Sequence, residues 1–193
     1  LFSLTTLEIC EGQQLDMEFE SRCDVAEDEY IEMIRLKTAV LLAGSLKIGA
    51  ILAGTTAEDA DNLYNFGMHI GVAFQLQDDL LDVYGDPEVF GKKIGGDILC
   101  NKKTYMLIKA LERADEKQRE ELDRWLNAET CQPAEKIAAV TELYNQLNIR
   151  NVCENKMREY YTLAMESLSA VAVAEDRKKE LKNLVKLLMY REV

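Results

Sequence analysis

The sequence predicts an all-α fold, and three observations support that class. Apolar residues make up 48% of the 193-residue chain, charged residues make up 30%, and there are only two prolines, which is typical of a folded, mainly helical protein. Apolar side chains recur at steps of three and four along most of the chain, as they do in amphipathic helices. No stretch shows a strand pattern strong enough to compete. We therefore expect one helical domain over residues 1–193, a bundle of about seven helices of which the first is cut short.

The apolar spacing and the turn signals place the helices in order. We expect them near residues 1–19, 27–53, 57–84, 101–114, 116–127, 134–148, 150–173 and 177–191. The buried stripe predicted for the second helix consists of Tyr30, Ile34, Thr38, Leu41, Ser45, Ile48 and Leu52. The core residues predicted nearer the C-terminus are Trp125, Leu143, Tyr144, Leu147, Ile149, Tyr160, Leu163 and Leu184.

Composition also excludes several functions. The net charge of -12 argues against nucleic acid or an anionic membrane surface as the main partner. The five cysteines are scattered without a CxxC pair and there is a single histidine, so a zinc site is not expected and a reducing, cytoplasmic compartment fits best. No apolar run is long enough for a membrane span and no signal peptide is visible, so we expect no stable membrane insertion. Because the chain begins at Leu1 within a predicted helix, we expect it to be part of a longer protein.

The third predicted helix carries a polar face that an ordinary solvent-exposed helix would not need. At about 100° per residue, Gly67, Gly71, Gln75, Asp78 and Asp82 lie on one side of it. Glycines cost about 1 kcal/mol each within a helix, so we expect another helix to pack closely against them. Carboxylates one turn apart repel each other, so we expect a cation beside them. Mg²⁺ commonly uses one or two carboxylates together with waters and substrate phosphates.

A basic, glycine-rich loop follows this helix. Gly85-Asp86-Pro87 ends the helix, and the segment 91–97 reads GKKIGGD. Lys102 and Lys103 then stand at the start of the next helix, where a positive charge opposes the helix dipole and a nearby anion would relieve the conflict. Lys37 adds a third basic position, on or beside the buried stripe of its helix. It either extends its ammonium group to water or points into an anionic pocket, where burial demands a partner charge. Together with the carboxylates, these segments predict a site for a Mg²⁺-diphosphate group.

These residues resemble the trans-isoprenyl diphosphate synthases, the polyprenyl synthetase family, over nearly the whole chain. The resemblance is to the C-terminal portion of that family and rests on an ordered set of short motifs. They are Gly12-Gln13 with Asp16, Lys37-Thr38, the GAILAG segment 49–54, Phe74-Gln75, the DDLLD segment 78–82, Gly85-Asp86-Pro87, Gly91-Lys92, Gly95 with Asp97, and Lys102.

The resemblance implies an isoprenoid synthase-type helical bundle and a prenyltransferase that condenses isopentenyl diphosphate with an allylic diphosphate. The product would be of short to medium length, such as farnesyl or geranylgeranyl diphosphate, and the enzyme a cytoplasmic homodimer. Asp78, Asp79 and Asp82 would form the second of two aspartate-rich motifs and bind Mg²⁺, with Mn²⁺ as a possible substitute. The residues expected to bind the substrate diphosphate or to act in catalysis are Lys37, Lys92, Gln75, Asp78, Thr38, Gln13 and Lys102.

One departure from the family pattern limits this prediction. The first aspartate-rich motif and the basic residues that bind isopentenyl diphosphate are expected upstream of Leu1, and nothing in the chain replaces them. We therefore expect the intact protein to be an enzyme and this polypeptide alone to lack turnover. Three alternatives stay open: a terpene cyclase on the same fold, a non-catalytic partner subunit of a prenyl synthase, and an acidic helical interaction module. A linear product separates the first, and a response to Mg²⁺ with diphosphate separates the last.

Overall fold

A computed structural model describes residues 1–86, 94–128 and 130–189, and every regular element in these ranges is helical. The helices are α1 (Phe2–Ser21), α2 (Glu27–Ile34), α3 (Val40–Leu52), α4 (Ala57–Tyr84), α5 (Gly96–Leu99), α6 (Tyr105–Arg113), α7 (Glu116–Leu126), α8 (Pro133–Gln146), α9 (Ile149–Ala170) and α10 (Lys179–Met189). A π-helical turn (Arg35–Ala39) joins α2 to α3, and a 3₁₀ turn (Glu175–Lys178) precedes α10. The all-α prediction is confirmed.

Helix α4 is the central element of the bundle. Its N-terminus is capped by Thr56, whose hydroxyl accepts a hydrogen bond from the Asp59 backbone N–H at 3.1 Å, as Thr and Ser side chains do at helix starts. It packs against α3 on one side and α9 on another. Its buried side chains include Ile70, Leu76 and Leu81. The 28 residues of α4 therefore carry the aspartates through the middle of the protein.

The glycines of α4 allow close contact with α3, as predicted. A Cβ added at Gly67 would lie 2.8 Å from the Ala43 Cα, and one added at Gly71 would lie 2.5 Å from the Ala39 Cα. Gly12 of α1 approaches the other side of the π turn in the same way, with a virtual Cβ 2.3 Å from the Lys37 backbone nitrogen. Two helices thus press against the turn through residues that have no side chain.

The predicted buried stripe between residues 30 and 52 is only partly correct. Tyr30 and Ile34 are buried, but Leu41 is 56% exposed, Leu52 is 82% exposed and Ser45 is exposed. The contact surface of α3 is made by small residues, chiefly Ala39, Ala43 and Gly44, because these allow α1 and α4 to approach closely. Periodicity of large apolar residues therefore indicated the wrong face. The π turn also contains one more residue per turn than an α-helix, which no continuous 3.6-residue pattern anticipates.

The core prediction for the C-terminal half holds in α8 and at the start of α9. Leu143, Tyr144, Leu147 and Ile149 are buried, and Trp125 and Tyr160 are half-buried against the same core. Leu163 and Leu184 are exposed, so their assignment was wrong. Helix α9 turns Cys153, Met157, Ala164 and Leu168 inward, and α10 turns Val185 inward, which leaves both leucines on the outer faces.

Candidate active site

The C-terminal turns of α4 divide the three aspartates between two environments. Asp78 and Asp82 are half-buried on the face that also carries Gln75. Asp79 points into the core and is 2% exposed. Its two carboxylate oxygens accept hydrogen bonds from the Tyr30 hydroxyl and from the Gln75 side-chain amide, the latter at 3.3 Å. The motif therefore presents two carboxylates on one face and anchors the third inside.

A chain of hydrogen bonds connects Asp79 with the π turn. Gln75 donates from Nε2 to Asp79, and its Oε1 accepts from the Thr38 hydroxyl at 3.2 Å. Lys37 is the next residue along the turn. The unusual backbone of residues 35–39 thus places the Lys37-Thr38 pair beside α4, one helical turn before Asp78. Such π turns within helices are frequent at functional sites.

Lys37 lies against an acidic partner from another helix. Its Nζ is 2.6 Å from the Asp16 Oδ2 of α1, and the two side chains are 34% and 19% exposed. Of the two predictions for this lysine, the partnered, partly buried position is confirmed. Asp16 in turn lines a cavity of about 510 Å³ together with Phe19, Glu20, Met33, Asp97, Cys100, Asn101, Lys102 and Lys103.

Lys102 provides a second ammonium group to this cavity. Its Nζ lies 3.4 Å from the Asp97 Oδ1. Burial acts to lower the pKa of Lys102, but the carboxylates of Asp97, Asp79 and Asp16 outweigh it and hold the pKa above its ordinary value. The side chain is therefore a cation throughout the neutral range, and it is available to an anionic ligand.

Asp82 connects α4 to the segment that follows the glycine-rich loop. Its Oδ2 accepts a hydrogen bond from the Asp97 backbone N–H at 2.9 Å, and its backbone carbonyl accepts from the Gly95 N–H at 2.6 Å. Gly95 has a φ of +83°, a conformation that glycine adopts without strain. Burial raises the pKa of Asp82, while the backbone N–H of Asp97 acts in the opposite direction.

Burial also dominates the ionisation of Asp79, raising its pKa to about 7 although the hydrogen bond from Tyr30 acts to lower it. The pKa of Tyr30 is well above its ordinary value, first because the ring is fully buried and second because Asp79 lies beside it. Tyr30 is therefore a neutral hydroxyl that donates to the carboxylate.

Not every predicted site residue belongs to this arrangement. Lys92 lies outside the described residues, as does the rest of segment 87–93. Gln13 is exposed on α1 and is not part of the hydrogen-bonded chain. Sequence reasoning missed the role of Tyr30, which was predicted only as core, because 49 positions separate it from Asp79. The spacing of the Asp16 motif gave a signal, but its pairing with Lys37 required the structure.

The carboxylates fit a divalent cation that a substrate helps to hold. Within residues 1–86, 94–128 and 130–189, no group of three or more His, Cys, Asp or Glu side chains forms a closed metal site. Asp78 and Asp82 offer oxygen donors on one half-buried face, and Mg²⁺ is typically bound by one or two carboxylates plus waters and phosphate oxygens. A search of the described helices also finds none with the length and apolarity to cross a membrane.

Comparison with known proteins identifies the family. The polyprenyl synthetase profile matches residues 1–146. A short chain isoprenyl diphosphate synthase of Methanothermobacter thermautotrophicus is 43% identical over 177 residues, which is 88% of this chain and 54% of that protein. A (2E,6E)-farnesyl diphosphate synthase of Mycobacterium tuberculosis is 36% identical over 193 residues, 98% of this chain and 54% of that protein. The chain belongs to the polyprenyl synthetase family and spans about half the length of these relatives.

Solved structures show the same fold. A geranylgeranyl pyrophosphate synthase superimposes with a TM-score of 0.92 at 38% identity, covering 100% of this chain and 60% of that one. A geranylgeranyl pyrophosphate synthase from Corynebacterium glutamicum, complexed with isoprenyl diphosphate and magnesium, gives a TM-score of 0.88 at 30% identity and covers 97% of this chain and 53% of that one. The isoprenyl synthase bundle predicted from the motifs is confirmed.

Proposed function

We propose that the protein containing this chain is a Mg²⁺-dependent trans-prenyltransferase that joins isopentenyl diphosphate to an allylic diphosphate. The observation that carries the proposal is the convergence of three segments on one cavity wall. Lys37-Thr38 from the π turn, Gln75 and Asp78 from α4, and Lys102 before α6 are linked by the contacts described above. The relatives named as isoprenyl, farnesyl and geranylgeranyl diphosphate synthases support it.

The residues suit a reaction in which diphosphate departs from an allylic carbon. As the C–O bond of the allylic diphosphate ionises, negative charge grows on the leaving group and a carbocation forms. Lys37 and Lys102 would stabilise that negative charge, and Thr38 and Gln75 would orient the diphosphate oxygens, which is preorganised electrostatic stabilisation. The double bond of isopentenyl diphosphate then attacks the cation, and loss of a proton to the departing diphosphate restores neutrality. No protein nucleophile is needed.

Asp78 and Asp82 are the residues that would hold Mg²⁺ on this face. When bound, the ion would supply Lewis-acid neutralisation of the diphosphate charge. Asp16 would keep the Lys37 ammonium in place between turnovers. Lys92, in the segment outside the described residues, remains a predicted diphosphate ligand. A homodimer and a cytoplasmic location also remain predictions, as does a product of farnesyl or geranylgeranyl length.

The proposal is tested by incubating the intact protein with labelled isopentenyl diphosphate, an allylic diphosphate and Mg²⁺. We expect linear prenyl diphosphates and loss of turnover when EDTA is added. Cyclic hydrocarbon products would instead establish a terpene cyclase, and the absence of any diphosphate consumption would favour a non-catalytic subunit.

A second experiment concerns the 193-residue chain by itself. The family's first aspartate-rich motif is expected upstream of Leu1, so we expect no steady-state product from this polypeptide under conditions in which the intact protein turns over. Normal product from the isolated chain, with a circular dichroism spectrum showing that it is folded, would contradict this expectation.

A further inference from the structure

Asp78 and Asp79 are neighbours in sequence, yet the structure gives them different surroundings. The Asp79 carboxylate is 2% exposed and lies within the core. Both of its oxygens already accept hydrogen bonds from the protein, one from Tyr30 and one from Gln75. A metal ligand needs a lone pair directed at the ion and a path for the ion to reach it, and this carboxylate has its bonds directed inward.

Tyr30 is the group that holds Asp79 in this orientation. Its side chain is 1% exposed and belongs to the main core cluster with Ile34, Leu76 and Leu80, so the ring has little freedom to turn. A buried hydroxyl and a buried carboxylate each cost free energy unless they are hydrogen-bonded. The pair therefore stabilises one arrangement of both side chains.

The Asp79 carboxylate also determines which way the Gln75 amide faces. Gln75 Oε1 accepts from the Thr38 hydroxyl at 3.2 Å, and Nε2 donates to Asp79 at 3.3 Å. An amide turned by 180° would place Nε2 against a hydroxyl and Oε1 against a carboxylate oxygen, which repel. Since Asp79 can only accept in its ionised form, it selects one orientation of Gln75 and, through it, the position of Thr38.

We propose that Tyr30 and Asp79 form a buried positioning pair that orients Gln75 and Thr38 toward the diphosphate, and that Asp79 lies outside the coordination shell of the metal. The inference rests on the proposed function for its ligand. It assigns different tasks to the aspartates of one motif: Asp78 faces the ion, and Asp79 fixes the hydrogen-bonding groups that face the diphosphate.

Matched isosteric variants of the intact protein test the assignment of Asp79. Mn²⁺ binding in the presence of inorganic diphosphate would be measured by titration calorimetry for the wild type, Asp78→Asn and Asp79→Asn. We expect Asp79→Asn to retain the wild-type number of Mn²⁺ ions with an affinity within about threefold, and Asp78→Asn to lose tenfold or more. Equal losses in the two variants would overturn the proposal.

The role of Tyr30 is tested by a double-mutant cycle on the affinity for inorganic diphosphate with Mn²⁺. We expect Tyr30→Phe and Asp79→Asn each to weaken it by about three- to tenfold, as for the loss of one hydrogen bond. An asparagine offers one acceptor atom where the carboxylate offers two, so the pair cannot be reproduced. The double variant should be no weaker than the weaker single variant, because both remove the same constraint.

Tyr144→Phe is the matched control for this cycle. Tyr144 is equally buried and lines the same small internal cavity as Asp79, so its variant should leave diphosphate affinity within about twofold. Independent, multiplicative losses from Tyr30→Phe and Asp79→Asn would overturn the positioning role. If the wild-type protein binds neither Mn²⁺ nor diphosphate, the proposed function fails and this inference with it. Loss of Mn²⁺ from Asp79→Asn against normal wild-type binding would overturn the present inference alone.

Discussion

At the scale of single residues, the site separates charge that faces the cavity from charge that organises the core. Lys37 and Lys102 each lie beside a carboxylate from a different segment, Asp16 and Asp97. Each ammonium is therefore held at a defined place before a ligand arrives, which reduces the conformational entropy lost on binding. An incoming diphosphate would compete with these carboxylates for the lysines.

The first residue-scale prediction concerns Asp78. In the intact protein, Asp78→Ala should lower kcat by about 10²–10³-fold, because the charge that stabilises the leaving diphosphate would be incompletely held. The control is Glu58→Ala, which removes an exposed carboxylate from the first turn of the same helix and should leave kcat unchanged. Steady-state kinetics with saturating Mg²⁺ makes the measurement. A wild-type rate in Asp78→Ala would remove this residue from the site.

The second concerns the Lys37–Asp16 pair. Lys37→Met should raise the KM for the allylic diphosphate by tenfold or more, because it removes a cation that contacts the substrate. Asp16→Asn should have a smaller effect, since it leaves the ammonium in place and frees it to move. If Lys37 served only to neutralise Asp16, the two variants would be equivalent and the double variant no worse than either, and that result would contradict a direct role.

Sequence reasoning at this scale was strongest where the chemistry required particular residue types at short spacing. The aspartates of α4, Gln75, Lys37 and Lys102 were all identified from residue type and position. The division between Asp78 and Asp79 was not, because it depends on Tyr30, which lies 49 positions away. A helical projection places Asp79 about 100° from Asp78 but does not say what that side of the helix meets.

At the scale of helices, the position of the site depends on close approaches between backbones. The π turn is held between Gly12 of α1 and Gly71 of α4. Both contacts leave less room than a methyl group requires. The turn therefore cannot shift towards either helix without separating Thr38 from Gln75.

The prediction at this scale compares two glycines in helices. Gly71→Ala should destabilise the protein by about 1–3 kcal/mol, the usual cost of overpacking, because the new Cβ would lie 2.5 Å from the Ala39 Cα. Gly49→Ala is the control, since nothing lies within 4 Å of a Cβ at that position and alanine favours a helix by up to about 1 kcal/mol. Urea unfolding followed by circular dichroism gives both values. Equal stability of the two variants would mean that α3 and α4 pack less closely than described.

The glycine contacts could be predicted from the sequence, because glycine within a long helix is costly and requires a compensating reason. The face of α3 could not, since its contacts are made by Ala39, Ala43 and Gly44, whose small side chains give no amphipathic signal. Large residues such as Leu52 dominated the periodicity and lie on the outside. The rule that apolar means buried fails where helices touch through their backbones.

At the scale of the whole molecule, a cluster of ion pairs connects the two ends of the chain. Glu27 at the start of α2 pairs with Lys109 of α6 and with Lys156 of α9, the latter at 2.9 Å. Burial acts to raise the pKa of Glu27, but the two ammonium groups outweigh it, so the pKa lies below its ordinary value of 4.5. Residues far apart in sequence are thus joined through one carboxylate.

This cluster gives a prediction for stability against pH. A carboxylate whose pKa is lower in the folded state contributes stability above the pKa of the unfolded chain and loses it as the pH falls through the folded value. Glu27 should therefore contribute fully above about pH 5 and progressively less below pH 4.5. The variant Glu27→Gln should lower the unfolding temperature at pH 7 and reduce the difference between variant and wild type at pH 3.5. Glu120→Gln, which alters an exposed residue of α7, should show no such pH-dependent difference.

The overall architecture was the most predictable level. The succession of amphipathic segments required a helical bundle, and the bounds of α4 follow directly from the Thr56 cap and the Gly85 break. The packing partners of α4 were less accessible, because a periodic face indicates that something covers it but not which helix does so. The short helix α5 had no periodic signal, since four residues do not complete a pattern.

The π turn has a consequence for how the length of this segment can vary. From α2 through α3 the backbone is one continuous rod with a single surplus residue, held in place by the glycines on either side. Removing any one residue between positions 35 and 39 would return the rod to ordinary winding and rotate everything after it by about 100°. Ala43 would then no longer face Gly67, and Thr38 would leave Gln75. Amino-acid replacements in this stretch alter one contact at a time, whereas a codon deletion would misalign an entire helix.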